Sequence, residues 1–210
     1  MASDRKPQDS PLRRAQAAAT RTKIIDAAAS LFATQGYDGA RIDDVAAAAG
    51  VAYPTVYKAF GNKRSLLRAA VDLRMTGGTD GDVAQLDWFR EQLEAPTAEQ
   101  QLRLVARNAR RLYDRAGKLL ETVRATAARD DEIAALWRAI HDDRLARART
   151  TAERLATKAE LRGTESDAVH TLWTLTVPEL YVLQTETIGL DPDDYERWVA
   201  DLLVAALLRP

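Results

Sequence analysis

The chain has 210 residues, of which 46% are hydrophobic and 29% charged, and its formal net charge is −1 at pH 7. This composition is typical of a globular protein with a sizeable core and excludes a chain that is disordered throughout. Cysteine is absent, which excludes disulfides and thiolate metal sites, and the two histidines, His141 and His170, are too few for the usual zinc sites. Because no apolar run approaches the ~18 residues of a membrane span and no signal peptide is evident, we expect a cytoplasmic protein. We also expect neither a metal nor a cofactor.

The charge is distributed unevenly along the chain. Residues 1–68 contain 11 basic and 6 acidic residues, which gives a net charge of +5. Residues 69–210 contain 19 basic and 25 acidic residues, which gives a net charge of −6. A basic end followed by an acidic body indicates that the two parts meet different partners.

The N-terminal third is predicted to hold a flexible arm followed by four helices. Residues 1–20 are rich in charged residues without an apolar period, which indicates a flexible basic arm. Apolar residues then recur at helical spacing, beginning with Ile24, Ala28 and Phe32. The residues predicted to end or begin the successive helices are Gly36, Gly50, Pro54 and, as an N-cap, Asn62.

The rest of the chain is also predicted to be helical. Thr76 to Asp82 is the strongest candidate loop, and Thr97 with Gln100 predicts a capping box at the start of a helix. Gly117 is predicted to end a helix, and a long helix is predicted from Glu132 to Ala159, preceded by Asp130 and Asp131. A helix that begins near Ser166 is predicted to have a kink at Pro178. The last helix is predicted to start at Asp191 and Pro192. About nine or ten helices and no strand signal predict an all-α fold.

The segment from Ile42 to Lys63 has the pattern of a helix-turn-helix. Two short helices that meet at a tight turn need a small residue where they cross and a glycine in the turn. Ala46 and Gly50 have these two roles, and Val51 and Val56 supply the apolar contact between the helices. The basic N-terminal segment favours a DNA-binding role for this motif over that of a structural corner.

Residues Thr22 to Leu67 resemble the DNA-binding domain of TetR-family transcriptional regulators. The resemblance lies in the first helix, the turn Ala-Gly-Val and the run Thr-Val-Tyr-Lys-Ala-Phe-Gly-Asn-Lys-Arg-Ser-Leu-Leu. It implies an N-terminal three-helix DNA-binding domain over 21–68. The region 69–210 would then form a C-terminal helical bundle that binds a ligand and dimerises.

The same resemblance implies which residues meet DNA. They are Arg41, Ala52, Tyr53, Thr55, Tyr57, Lys58 and Lys63. Thr55 would contact a base edge or a phosphate, Tyr57 a phosphate, and Lys63 the DNA backbone at the start of the fourth helix. Arg41 departs from the family pattern, which has Thr or Ser there as a helix cap, and its guanidinium is suited to a phosphate.

The resemblance also implies a homodimer, in which the last two long helices of each subunit form a four-helix bundle. The dimer contacts would come from Trp198, Leu202, Leu203 and Leu207 on the last helix, although the same stripe also suits the core of one subunit. Two recognition helices would then meet a palindromic operator about 34 Å apart, one turn of DNA.

A small-molecule pocket among the middle helices is a further implication. The candidate residues are Trp88, Tyr113, Trp137, His141, Trp173, Glu179 and Tyr181. Glu179 follows Pro178, whose predicted kink would free backbone carbonyls beside a carboxylate. These residues suit an apolar or a cationic ligand.

The sequence therefore predicts a transcriptional regulator, and specifically a repressor that an unknown small-molecule effector releases from a double-stranded DNA operator. An enzyme is not expected, because the chain lacks Gly-x-Ser-x-Gly, a phosphate-binding glycine loop, a cysteine and a histidine cluster. The alternative is a helical interaction protein whose helix-turn-helix does not bind DNA.

Overall fold

The computed structural model describes residues 11–78 and 83–209 of the chain. Over these ranges it contains ten α-helices and no β-strand, which confirms the all-α prediction. The helices are α1 Pro11–Gly39, α2 Ile42–Ala49, α3 Tyr53–Phe60, α4 Lys63–Thr76, α5 Asp87–Glu94, α6 Ala98–Ala127, α7 Asp131–Ala156, α8 Glu165–Leu175, α9 Pro178–Val182 and α10 Pro192–Leu207. Part of the predicted loop over 76–82 lies outside the described residues.

The chain divides into two compact units, Met1–Ala70 and Val71–Pro210. In the first unit α1 packs against α2, and α2 packs against α3. The core of this unit contains fully or almost fully buried apolar side chains, among them Ile24, Phe32, Val45, Val56 and Leu66. Helix α4 begins in the first unit and ends in the second.

Helix α1 begins earlier than the sequence pattern predicts. Residues 11–20 are helical, so the prediction of a flexible arm is wrong for this part, and residues 1–10 lie outside the described residues. Alanine, the strongest helix former, occupies four of the positions from 15 to 19, which explains why this part of α1 is helical without an apolar face. At its other end α1 is interrupted at Gly36, whose φ of 70° and ψ of 179° are not helical, at the residue predicted to end it.

The second unit is built around α6. This helix packs against α5, α7, α9 and α10, and α8 packs against both α7 and α10. Large side chains that are fully buried between these helices include Leu102, Leu120, Leu155, Leu172 and Tyr195. A helix contacted on several sides must bury most of its circumference, and fifteen of the residues of α6 are buried.

Two predicted interruptions in this unit are wrong. Gly117 does not end a helix but lies inside α6, where a Cβ atom would stand 3.3 Å from Cγ2 of Val182 and 3.6 Å from Cδ1 of Tyr181. The glycine therefore permits the close approach of α9 to α6. Pro178 does not kink a helix but starts a new one, because the chain leaves the helix at Thr176 and Pro178 is in the first turn of α9.

The predicted helix starts are confirmed by their capping hydrogen bonds. Asn62 accepts a hydrogen bond from the Ser65 N–H at 2.8 Å, and Thr97 accepts one from the Gln100 N–H at 3.2 Å. The carboxylate of Asp130 accepts from two N–H groups in the first turn of α7, and that of Asp191 accepts from the Asp193 N–H. Each cap satisfies a donor that has no partner within its helix.

Candidate functional site

The turn between α2 and α3 holds the two helices at a fixed angle. Gly50 has φ 67° and ψ 34°, a left-handed conformation that favours glycine, and its N–H donates to Ala47 O at 3.1 Å. The next N–H, of Val51, donates to Ala46 O at 3.0 Å. Ala46 is buried, and Val56 on α3 is 1% exposed, so small and aliphatic residues fill the crossing as the sequence predicts.

Helix α3 buries one side and presents the other. Val56 and Phe60 face the core, while the predicted DNA-binding residues Ala52, Tyr53, Thr55, Tyr57 and Lys58 are all exposed. The two tyrosines are unusually exposed for aromatic side chains, at 46% for Tyr53 and 62% for Tyr57. Each has a polar hydroxyl that can donate to a phosphate oxygen. The structure thus places four of these residues on one short helix and Ala52 directly before it, as its N-cap.

An arginine that the sequence analysis did not single out fixes the C-terminal end of this helix. Arg21 of α1 donates from Nη1 to Ala59 O at 3.0 Å, and its guanidinium carbon lies 4.2 Å from the ring centroid of Phe60. A cation at the C-terminal end of a helix interacts favourably with the helix dipole. Arg21 has a positioning role that its sequence context did not indicate, because its partners lie almost 40 residues away in the chain.

Lys63, at the start of α4, is held against the end of α1. Its Nζ donates to Asp38 O at 3.3 Å and lies 4.7 Å from the ring centroid of Tyr37. Partial burial lowers the pKa of Lys63, and the nearby Asp38 carboxylate partly opposes this effect. The ammonium has three donors, so a phosphate oxygen can be added as a further acceptor.

Arg41 precedes α2 and is exposed. Its side chain makes no capping bond to the helix, as expected for a residue that replaces Thr or Ser, and Nη2 lies 3.7 Å from the Asp43 carboxylate. An exposed pair at this distance contributes about 0–1 kcal/mol, so the guanidinium is available to exchange this partner for a phosphate.

The second unit contains a cavity of about 350 Å³ between α6, α7, α9 and the segment after α9. It is lined by Gly117, Leu120, Glu121, Arg124, Trp137, Pro178, Glu179, Val182, Leu183 and Thr187. Two of the predicted pocket residues, Trp137 and Glu179, are among them. The four residues from α6 recur at helical spacing and would have been recognised on one face if Gly117 had not been interpreted as a helix end.

Behind Trp137 lies a cluster of aromatic rings and one buried cation. The ring of His141 lies 4.3 Å from that of Trp137 and 5.5 Å from that of Trp173, measured between centroids. Arg144 is 6% exposed and donates from Nη1 to His141 Nδ1 at 3.1 Å, so Nδ1 is the unprotonated nitrogen. Burial and the neighbouring Arg144 lower the pKa of His141, while Glu179 and Asp142 oppose this effect. The imidazole is therefore neutral at pH 7.

The remaining predicted pocket residues do not line this cavity. Trp88 and Tyr113 line a second, smaller cavity of about 80 Å³, and His141 and Trp173 lie behind Trp137. Tyr181 is buried, packs between the rings of Tyr113 and Tyr195, and donates its hydroxyl hydrogen to Asp114. The structure thus separates residues that the sequence grouped into one pocket, and the rings of Tyr113 on α6 and Tyr181 on α9 pack against each other with centroids 6.0 Å apart.

The structure divides the predicted dimer residues into two pairs. Leu203 is fully buried and Leu207 is 4% exposed, so within one chain both belong to the core of the unit, the alternative that the sequence left open for this stripe. Trp198 and Leu202 are exposed by 38% and 36%, four residues apart on the outer side of α10. Only this second pair remains accessible to a partner.

Within the described residues, no cluster of three or more histidine or acidic side chains is arranged to hold a metal ion. None of the helices in these ranges has the length and apolar character needed to cross a membrane.

Part of the first unit is similar in sequence to a known family. Residues 24–70 match the sequence model of the family described as bacterial regulatory proteins, tetR family. The matched segment contains α2, α3 and the turn that connects them. No curated protein sequence matches the chain.

Solved structures resemble the whole chain. A TetR-family transcriptional regulator from Mesorhizobium loti has 21% identity and a TM-score of 0.64, over 92% of this chain and 99% of that chain. SmeT of Stenotrophomonas maltophilia, in a complex with triclosan, has 21% identity and a TM-score of 0.68, over 91% and 92% of the two chains. FadR of Bacillus subtilis, in complex with stearoyl-CoA, has 19% identity and a TM-score of 0.67, over 88% and 98%. At these identities the likeness establishes a shared fold.

Proposed function

We propose that the chain is a TetR-family regulator, because residues 24–70 match the model of that family, and that it is a homodimeric repressor that a small molecule releases from a palindromic DNA operator. The observation that carries this proposal is the outer face of α3, on which four polar or aromatic residues, Tyr53, Thr55, Tyr57 and Lys58, are exposed while Val56 and Phe60 fix the helix from within. A cytoplasmic, non-catalytic role follows from this function.

Electrostatics support DNA as the partner of the first unit. Residues 1–68 have a net charge of +5. Arg41 is exposed directly before α2, Lys58 is exposed on α3, and Lys63 is partly buried at the start of α4. Contacts with phosphates fix the orientation of a recognition helix, whereas contacts with base edges provide its specificity. We assign the phosphate contacts to Arg41, Tyr57 and Lys63, and base reading to Thr55.

The outer side of α10 is the proposed dimer contact. Trp198 and Leu202 are large apolar residues four positions apart, and they are exposed within one chain. Trp198→Glu is expected to yield a monomer of about 23 kDa in sedimentation, half of the mass expected for a dimer of the 23.2 kDa chain. Glu153→Lys, a charge reversal at an exposed residue of α7, is the control that should remain dimeric. A wild-type protein that sediments only as a monomer at micromolar concentration would contradict the dimer.

The 350 Å³ cavity is the proposed effector site. SmeT and FadR, which share the fold, are seen with triclosan and with stearoyl-CoA respectively. An effector weakens operator binding only if it binds one arrangement of the dimer more tightly than the other, and a typical coupling of about 1–3 kcal/mol corresponds to about 5- to 150-fold. Helix α4 is the proposed link, because it is continuous across the division between the units.

The proposal is tested with a DNA fragment from upstream of the protein's own gene. Lys63→Ala should weaken binding to all sequences and reduce the slope of log K against log salt by about one per half-site. Thr55→Ala should instead reduce the preference for the operator over a mutated operator. Lys118→Ala, an exposed lysine of the second unit, is the control that should change neither quantity.

Two outcomes would contradict this function. Unchanged binding by both variants at 0.1 M salt would refute the assigned face of α3. A wild-type protein with no salt-dependent binding to the fragment would favour a helical interaction protein that does not bind DNA.

A further inference from the structure

We propose that the cavity beside Trp137 binds an organic cation, a protonated or quaternary amine attached to an apolar body. This inference rests on the proposed function, because it names the chemical class of the effector. The cavity is lined by α6, α7, α9 and the segment after α9. Three properties of this cavity support the inference: its size, its charged residues and the aromatic ring of Trp137.

The size and the walls of the cavity fit a small apolar body. A volume of about 350 Å³ lies near the lower end of the range of about 300–1,000 Å³ for small-molecule sites. Leu120, Val182 and Leu183 provide aliphatic walls, and Gly117 lines the cavity without a side chain. An apolar group of about two fused rings can displace water from these walls, and its burial favours binding.

The charged residues of the cavity favour a positive ligand. Glu121 and Arg124 reach it from α6, and Glu179 reaches it from α9. All three residues are exposed as well as lining the cavity, which places their charges at its mouth. Two carboxylates against one guanidinium leave a local charge of −1. A cation there can lie near two carboxylates from different helices, whereas an anion would have one favourable partner and two unfavourable ones.

Trp137 adds an attraction that only a cation uses. An indole is the most favourable aromatic partner for a cation, and the attraction becomes stronger as the site loses water. The ring packed against Trp137 is the neutral imidazole of His141, so no positive charge adjoins the indole on that side. The nearest buried cation, Arg144, is occupied by the carbonyls of Trp173 and Thr176 at 2.8 and 2.9 Å.

The acidic character of the second unit acts in the same direction. Residues 69–210 have a net charge of −6, so the field around this unit raises the local concentration of cations. This long-range effect is screened over about 8 Å at physiological salt, whereas the short-range contacts in the cavity are screened less. Binding of a cation should therefore weaken only moderately as salt rises.

The test uses three probes with the same naphthalene body. They are (naphthalen-1-ylmethyl)trimethylammonium, its neutral isostere 1-neopentylnaphthalene, and the anion 1-naphthylacetate. Binding to the full-length wild-type protein is measured by calorimetry without DNA, at pH 7.5. We expect the cation to bind about three- to ten-fold more tightly than the neutral isostere, and the anion to bind more weakly than both.

Charge variants at the mouth locate the effect. Glu121→Gln and Glu179→Gln should each reduce affinity for the cation about three-fold and leave affinity for the neutral isostere unchanged. Arg124→Gln should have the opposite sign, with about three-fold tighter binding of the cation. Glu153→Gln, an exposed glutamate on α7 that does not line the cavity, is the matched control and should change nothing.

The possible results separate this inference from the proposed function. Tighter binding of 1-naphthylacetate than of the cation, or binding of the cation that none of the three mouth variants changes, overturns the inference. Absence of binding by all three probes also overturns it, because the cavity is then not a site for bodies of this size. None of these results depends on operator binding, which is measured separately with DNA, so failure of the DNA-binding proposal leaves them interpretable.

Discussion

The break between α8 and α9 creates unpaired backbone carbonyls, and a buried arginine and a tyrosine supply their partners. Pro178 has no N–H to donate to Thr174 O, and the Val177 N–H donates to that oxygen at 3.4 Å instead. This shift leaves Trp173 O without its usual helical donor. Arg144 Nη2 donates to Trp173 O at 2.8 Å, and the same nitrogen donates to Thr176 O at 2.9 Å. Tyr113 donates its hydroxyl hydrogen to Thr176 O at 2.6 Å.

A double-mutant cycle should show that Tyr113 and Arg144 share an acceptor. Tyr113→Phe should destabilise the protein by about 1 kcal/mol, because Thr176 O keeps its bond from Arg144. Arg144→Met should cost about 2–3 kcal/mol, since it leaves Trp173 O unpaired, while removal of a buried charge offsets part of the loss. The double variant leaves both carbonyls unpaired and should cost about 1 kcal/mol more than the sum of the single variants.

The measurement is equilibrium unfolding in urea, followed by circular dichroism at 222 nm at one fixed protein concentration, because any self-association would couple to stability. Tyr181→Phe combined with Arg144→Met is the control pair, since the Tyr181 hydroxyl donates to Asp114 and not to Thr176. The control pair should be additive within about 0.5 kcal/mol. Additivity of the Tyr113 and Arg144 variants would refute the shared acceptor.

Three further predictions follow from single residues. Gly50→Ala should destabilise the first unit by about 1–2 kcal/mol because φ is 67° there, and Gly50→Asn by less, since a Cβ meets open space and asparagine tolerates this conformation; equal losses in urea unfolding would refute the backbone argument. Gly117→Val should cost about 1–3 kcal/mol through contact with Val182 despite the gain in helix propensity, and a more stable variant would contradict the tight approach of α9. The lowered pKa of His141 means that the unfolded chain binds more protons, so stability should fall as pH decreases below about 6.5; His141→Asn should flatten the dependence of urea-derived stability on pH below about 6.5, and an unchanged slope would exclude the neutral imidazole.

Local features of the chain were predictable because their causes lie within a few residues of one another. Asn62 and Asp130 cap helices whose N–H groups are two or three residues away, and Gly50 is required by its own backbone angles. The helix-turn-helix follows from such short-range constraints, which is why α2 and α3 and the exposed residues of α3 could be located from the sequence. The expectation for residues 11–20 was wrong because it relied on an apolar period, which an alanine-rich exposed helix does not need.

The cavity and the core of the second unit depended on which helices pack together. Gly117 and Pro178 are both helix-breaking residues by sequence alone. In the fold, Gly117 has a packing role because Val182 lies against it. The helix break beside Pro178 is stabilised by Arg144, which lies 34 residues earlier in the chain. Leu203 and Trp198 belong to one apolar stripe, and only the packing of α10 on α6 decides that the first is buried and the second exposed. Helical periodicity determines which residues share a face, whereas the partner of that face depends on contacts between residues far apart in the chain, and those contacts exist only in the folded protein.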